Sequence, residues 1–273
     1  MKQDDFMDKY MQKNKMTKIS VECKAKIAYT SWDYKMPLGT RRDNSSNHIF
    51  NEKLYKLYGD RQISVLDIGC SGGEFVKELI DDGHIAIGLE GSDYSKRFRR
   101  GAWREIPEFL FTCDITKPFN IYISPPKRLM SFDFITAWEV MEHIEKRDIG
   151  QLIKNIVKHM SENGMWIMSI ANYPSISNGV DLHRTKEPKD WWIKKFEEFG
   201  LTYVDNYVKY FNTQFVRGKY ETQKSFHIVV CRNPSKLPEI PKVSVTRWLW
   251  ERWVGSGTQE KVGKILLGSA YKK

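Results

Sequence analysis

The sequence predicts an α/β protein built on a doubly wound, seven-stranded, mostly parallel sheet, with an N-terminal lid segment and a C-terminal helical tail. Three observations carry that expectation. Short apolar runs alternate with amphipathic stretches from residue 61 to residue 171, a glycine-rich turn follows the first run, and two later runs, 201–211 and 225–231, can close the sheet as an antiparallel hairpin.

Taken in order, residues 1–46 form an extension in which Trp32, Tyr34 and Met36 precede Arg41 and Arg42, and 48–58 reads as the first helix. Residues 63–68 (ISVLDI) have the continuous apolar character of a strand buried on both faces, and 74–82 reads as a helix stopped by Gly83. A second strand, 84–89, ends on Glu90, and a short basic helix, 93–100, follows. The third strand, 108–113, ends on Asp114, and Ile123-Ser124-Pro125-Pro126 reads as a loop. Residues 132–137 are the fourth strand. Apolar positions 141, 144, 149, 152, 153, 156, 157 and 160 predict one long helix over 140–160, and 165–171 is the fifth strand. Crossovers at this spacing make the sheet parallel and place ligands at the carboxyl ends of its strands. The Pro/Ser/Asn/Gly-rich stretch 172–186 is too long for an ordinary connection and reads as a binding loop, before a helix at 187–199. The catalytic domain is thus expected at 47–232. In the tail, 233–273, Pro234, Pro238 and Pro241 make a linker to helical patterns at 245–254 and 260–267.

The 273 residues are 41% hydrophobic and 29% charged, which excludes a disordered or collagen-like chain. Cys23, Cys70, Cys113 and Cys231 form no C-x-x-C pair, so neither a zinc ribbon nor a thioredoxin-type site is expected. With no apolar leader and no run of about 18 apolar residues, a cytoplasmic protein without a transmembrane segment is expected. The formal charge of +10 divides as +4 over residues 1–60, −2 over 61–200 and +8 over 201–273. The basic excess lies at the two ends, where an anionic moiety or surface could be met.

The glycine turn Asp67-Ile68-Gly69-Cys70-Ser71-Gly72-Gly73 has glycines at relative positions 1, 4 and 5, not the 1, 3 and 6 of the dinucleotide fingerprint. It resembles motif I of the class I S-adenosylmethionine-dependent methyltransferases, with Ser71 where many members have glycine, and the resemblance spans roughly residues 47–231. It implies a Rossmann-like fold and S-adenosylmethionine as cofactor, with Asp67, Gly69, Cys70 and Gly72 around its methionine part. By the same resemblance Glu90 takes the ribose hydroxyls and Asp114-Ile115 the adenine. Gly91 and Trp138, beside those landmarks, complete the implied cofactor set.

After the fourth strand, Glu139, Glu142 and His143 stand at i, i+3 and i+4, which in a helix would gather them on one face. The segment resembles the E-V-x-E-H signature of many small-molecule O-methyltransferases, ubiquinone-pathway enzymes among them, and the metal-binding E-x-x-E-H of small-RNA terminal 2′-O-methyltransferases. His183, in the long loop, stands where a further ligand would come. Glu139, Glu142, His143 and His183 could hold a divalent cation such as Mg or Mn that lowers the pKa of a hydroxyl. Alternatively His143, with Glu142 and His183, performs metal-free acid/base catalysis, or the cluster packs under the loop.

The expected activity is methyl transfer to a hydroxyl of a sugar, a glycan or another small polar acceptor. The Asn/Asp-Pro-Pro-aromatic motif of amino-methylating DNA enzymes and the Lys-Asp-Lys-Glu pattern of cap-type ribose enzymes are both lacking. Two competing readings are a metal-dependent RNA ribose 2′-O-methyltransferase and a catalytically silent cofactor-binding partner subunit. An Arg of the 28–46 segment could pair with an anionic group, whereas the basic cluster 96–100 reads as a solvated helix face. The tail face of Leu249, Trp250, Trp253 and Val254, followed by Lys261, Lys264, Lys272 and Lys273, is expected to pack on its own domain or to form a homodimer contact.

Overall fold

Residues 18–59, 61–218 and 224–253 are described by a computed structural model. In chain order the strands and helices are β1 (Lys18–Cys23), α1 (Trp32–Lys35), α2 (Leu38–Arg42), α3 (His48–Tyr58), β2 (Ser64–Ile68), α4 (Glu74–Asp81), β3 (Ile85–Glu90), α5 (Tyr94–Arg97), β4 (Leu110–Thr112), β5 (Phe119–Ser124), β6 (Arg128–Leu129), β7 (Phe132–Trp138), α6 (Lys146–His159), β8 (Met160–Ala171), β9 (Ile176–Ser177), β10 (Val180–Asp181), α7 (Lys189–Glu197), β11 (Thr202–Tyr203), α8 (Asp205–Phe211), β12 (Ser225–Cys231) and α9 (Val245–Trp253). Seven strands make the main sheet in the order β11-β12-β8-β7-β2-β3-β4. The pairs β8/β7, β7/β2, β2/β3 and β3/β4 are parallel, whereas β12 runs against both its neighbours, with Ser225 opposite Ala171. All seven residues of β7 and all seven of β12 are buried, as expected of strands covered on both faces. Helices supply the cover through such residues as Phe50, Leu54, Leu152, Ile156, Trp192 and Phe196, all fully buried.

The five parallel strands lie where the apolar runs place them, but several other elements differ. The expected helix 140–160 is broken: Met141–His143 form one 3₁₀ turn, Ile144 and Glu145 are extended, and α6 begins only at Lys146. The stretch 201–211 is not a strand throughout. Only Thr202–Tyr203 pair with β12, after which Tyr207, Val208, Tyr210 and Phe211 are buried along the helix α8. Residues 123–126 are not wholly loop, because Ser124 ends β5, which joins β1 and β6 in a second, antiparallel sheet. Through β1 the N-terminal extension becomes part of the body. The loop 172–186 contains the hairpin β9/β10, whose turn residues Asn178 and Gly179 both have positive φ, the type I′ arrangement.

The tail helix α9 forms and meets the body through Glu251, which lies outside the face named from sequence. Leu249 and Trp250 are exposed, while Glu251 is buried with its carboxylate 2.8 Å from the Lys53 ammonium. Asn212 Nδ2 donates to Trp248 O (3.0 Å) and Thr213 Oγ1 to Glu251 O (2.6 Å), so α9 rests on the segment that follows α8. The side chains of Trp253 and Val254 and the expected helix 260–267 with its lysines lie outside what is described. Among the described residues no helix is long and apolar enough to cross a membrane.

Candidate active site

A cavity of about 560 Å³ opens at the carboxyl ends of β2, β3 and β7, in the size range of small-molecule sites. Gly69, immediately after β2, forms part of its floor. Its φ of 73° favours glycine, and a Cβ there would come within 2.5 Å of a Val140 methyl. Glu90 ends β3 with its carboxylate fixed by two backbone donors: Ser71 N–H (2.8 Å) on one oxygen and Ser92 N–H (3.0 Å) on the other. Burial holds its pKa above the ordinary carboxylate value, those hydrogen bonds offsetting part of the effect. A carboxylate has about four acceptor positions, so two remain for a ligand's hydroxyls. Gly91, Asp114, Ile115 and Trp138 line the same cavity. Asp114 Oδ1 accepts from Thr116 N–H (3.0 Å) and Thr116 Oγ1 (2.6 Å), which fixes its carboxylate at the wall.

Asp67, Cys70 and Gly72 are not in the cavity wall. Asp67 lies within the sheet and accepts from Thr136 Oγ1 at 2.7 Å; burial pushes its pKa up to about 8 despite that bond. The Cys70 sulfur packs against Gly88, where a Cβ would lie 2.6 Å from it. Gly72 is needed for the chain that crosses it, since a Cβ would be 2.0 Å from Asn44 Oδ1. Gly72 therefore seats the N-terminal segment, whereas Ser71 of the same turn lines the cavity.

That segment straps the cavity. Ala28 N–H donates to Gly91 O (2.9 Å), Ser71 Oγ to Thr40 O (3.2 Å) and Asp43 O (3.0 Å), and Arg100 to the carbonyls of Arg41 and Asp43. Arg100, from the cluster expected to be solvated, is thus a buckle for the strap. Trp32, Tyr34 and Arg42 line the cavity, whereas Arg41 lies over the Tyr94 ring.

At the far end, Glu142, His143 and His183 offer ligand-type atoms all within 4.8 Å of one another. Glu139 does not join them. With a φ of 52°, it turns its carboxylate to Arg217 (2.6 Å), whose guanidinium also reaches Asp43 (3.1 Å). Glu142 is fully buried: Oε1 accepts from Ala171 N–H (3.1 Å), while Oε2 has no hydrogen-bond partner among the described residues. Burial pushes its pKa up to about 7. Its backbone carbonyl accepts from Arg184 N–H and Thr185 N–H, which draws the loop with His183 over the 3₁₀ turn. His183 Nδ1 faces Tyr173 O, an acceptor, so the proton sits there and Nε2 is the free nitrogen. Burial and the neighbouring His143 both lower the His183 pKa.

His143 Nδ1 lies 2.8 Å from Asp33 Oδ1, and the two imidazole rings are 4.7 Å apart, edge to face. Burial opposes the charged imidazole, but Asp33, Glu142 and Glu139 outweigh it and hold the His143 pKa above its ordinary value. Asp33 and Arg217 were not among the residues expected from sequence. Asp33 stands in an unremarkable stretch 110 positions before its partner, and Arg217 in a connection without a motif.

The methyltransferase-domain family matches residues 41–213 of the chain. Ubiquinone biosynthesis O-methyltransferase of Rickettsia canadensis is 25% identical over 126 residues, covering 44% of this chain and 48% of that protein. The enzyme of the same name from Rickettsia conorii is 26% identical over 142 residues, covering 51% and 42%. The chain thus aligns with less than half the length of these relatives. An S-adenosylmethionine-dependent methyltransferase from Clostridium acetobutylicum superposes with a TM-score of 0.51 at 12% identity, over 72% of this chain and 95% of that one, which shows the shared fold.

Proposed function

The chain belongs to the class I S-adenosylmethionine-dependent methyltransferases, and we propose that it is an O-methyltransferase in which His143, paired with Asp33, takes the proton of an acceptor hydroxyl. The observation that carries this reading is the 2.8 Å approach of Asp33 to His143 Nδ1 in the cavity wall. A carboxylate beside one imidazole nitrogen favours the proton on that side and leaves Nε2 as the base.

The cavity suits the cofactor. Glu90 has acceptor positions left for two ribose hydroxyls, and Asp114 and Ile115 line the same cavity, which supports them as the adenine side. When bound, S-adenosylmethionine supplies a sulfonium methyl that needs no further activation. What remains for the chain is to align a nucleophile, strip its proton and keep water out. The strap and Trp138 do the last, and His143 the second. Tyr173, Ser175, His183 and Arg217 around the base give the acceptor a polar wall, which supports a sugar, glycan or other small polyol. The distant likeness to ubiquinone biosynthesis O-methyltransferases supports transfer to oxygen.

A second reading has its own support: the orphaned Oε2 of Glu142 and the free Nε2 of His183 beside His143 offer one carboxylate and two imidazoles that could hold a divalent cation, the Mg or Mn expected from sequence among the candidates. Ligands about 2.1 Å from one octahedral ion sit about 3 Å apart, so the three side chains would have to draw closer. An ion there would polarise the hydroxyl, with Asp33 orienting His143 as a ligand.

The experiment is methyl transfer from labelled S-adenosylmethionine to a panel of sugars and polyols, with and without EDTA, for the native chain and His143→Asn. Turnover should fall about 10²- to 10⁴-fold in the variant while calorimetric affinity for S-adenosylhomocysteine stays within about twofold. Undiminished turnover in the variant refutes the base. Loss with EDTA and recovery with Mg or Mn selects the metal reading.

A further inference from the structure

Helix α9 inverts the usual amphipathic arrangement. Among its described side chains only Glu251 is buried, held against Lys53, while Asn212 and Thr213 grip the backbone carbonyls of Trp248 and Glu251. Its apolar residues lie elsewhere: Val245, Leu249 and Trp250 are 73%, 44% and 48% exposed. At about 100° per residue these three fan over the side of the helix opposite Glu251, so the pair that anchors α9 also turns its apolar side outward. A valine, a leucine and a tryptophan left in water on one side of one helix gain apolar burial only when another surface meets them. Charge surrounds that side. Lys242 before the helix and Arg252 within it are exposed, the Arg252 guanidinium lying over the Trp248 ring at 5.2 Å. Residues 232–273 carry nine lysines and arginines against three glutamates and no aspartate.

We propose that α9 is a peripheral docking helix that lays Val245, Leu249 and Trp250 into the interface of a membrane containing anionic lipid. A tryptophan beside aliphatic side chains, with cations around them, suits the boundary between headgroups and acyl chains. The basic excess is complementary to anionic headgroups, and each lysine or arginine near the surface adds to the attraction. One short apolar face gives only marginal binding by itself, so the apolar and the basic parts are both required. The same charge disfavours a second copy of the chain as occupant, because a two-fold contact would bring two basic segments together. Size disfavours it too: a stable dimer buries roughly 800 Å² per partner, and three partly exposed side chains offer a few hundred. A single-stranded nucleic acid would stack on aromatic rings and leave Val245 and Leu249 without a role.

The full chain is sedimented with vesicles of phosphatidylcholine alone and of phosphatidylcholine mixed with phosphatidylglycerol. It should pellet with the mixed vesicles, stay in solution with phosphatidylcholine alone, and be released as salt is raised. Leu249→Ser combined with Trp250→Ser should lower partitioning onto the mixed vesicles at least about tenfold. Melting temperature and affinity for S-adenosylhomocysteine should stay native, because both side chains are exposed. Equal pelleting of the native and substituted chains overturns the proposal, as does no pelleting with the mixed vesicles. A dimer in light scattering that the two substitutions dissolve, without vesicle binding, assigns the face to a second copy and overturns it; binding of single-stranded RNA without vesicle binding does the same. Mixed vesicles carrying brominated acyl chains should quench part of the native chain's tryptophan emission, which keeps the test decisive even if the substituted chain folds poorly, and unchanged emission overturns insertion.

Discussion

Glu251→Ala should unfold the chain at a markedly lower temperature, and the size of the effect follows from what is left behind. The Lys53 and Glu251 side chains are 4% and 1% exposed and 2.8 Å apart, in a region where water cannot replace a lost partner. Without Glu251, the Lys53 ammonium keeps the Tyr210 carbonyl at 2.9 Å and the face of the Tyr210 ring, and Arg247 keeps Glu52 but loses its partner one turn away. Breaking a buried pair on one side costs about 3–5 kcal/mol, and the remaining carbonyl favours the lower figure, about 3. At about 2–4 °C per kcal/mol for a chain of this size, the melting temperature should fall by about 6–12 °C. Burial already lowers the Lys53 pKa, with Glu251 partly restoring it, so the variant's ammonium is easier still to deprotonate. Its unfolded state then binds more protons than the folded one between the folded and unfolded lysine pKa values, and stability rises with pH across that window. The deficit should therefore shrink in calorimetric melts as pH rises toward the ordinary lysine range. Replacing both residues by apolar ones (Lys53→Met with Glu251→Leu) should recover most of the loss, since no orphaned charge remains. A melting temperature within about 2 °C of the native chain for Glu251→Ala alone would refute the buried pair and, with it, this docking of α9.

Asp33→Asn should slow turnover and move the acid limb of kcat/KM to lower pH: Asp33 helps to hold the His143 pKa above its ordinary value, and the base works only when neutral. A pH profile of initial rates checks this, and an unmoved limb removes Asp33 from the proposed chemistry. Glu90→Gln should weaken S-adenosylhomocysteine binding about 10- to 100-fold by calorimetry, as expected for loss of charge-assisted hydrogen bonds of about 1.5–3 kcal/mol. Gly72→Ala forces a methyl to within 2.0 Å of Asn44 Oδ1 and should destabilise by about 1–3 kcal/mol in urea melts; an unchanged midpoint would mean that the strap is not seated there.

The parallel strands were legible because strands covered on both faces leave continuous apolar runs, and Glu90 and Asp114 because each directly ends such a run. The break before α6 was not, since Met141 and Ile144 keep the helical spacing although Ile144 is extended and Glu145 caps the next helix. Residues 201–211 mix aromatic and β-branched side chains that suit a strand, yet the spacing of Tyr207, Val208, Tyr210 and Phe211 already held the helical alternative. The His143 site was half legible: Glu142, His143 and His183 carry a motif, whereas Asp33 and Arg217 arrive through tertiary structure from segments with no local signature. Glu139 matched the motif and was nevertheless drawn away by an arginine 78 positions later.

The reversal of β12 has a consequence for the make-up of the site. A strand running with the others would begin at the far edge of the sheet and bring its preceding connection there. Because Ser225 instead stands beside Ala171, the described residues before it reach the carboxyl ends of the parallel strands, where Arg217 meets Asp43 and Glu139. One inverted strand thus lends the site an extra arm: its Arg217 lines the cavity while its Phe215 packs against Trp138 at the end of β7.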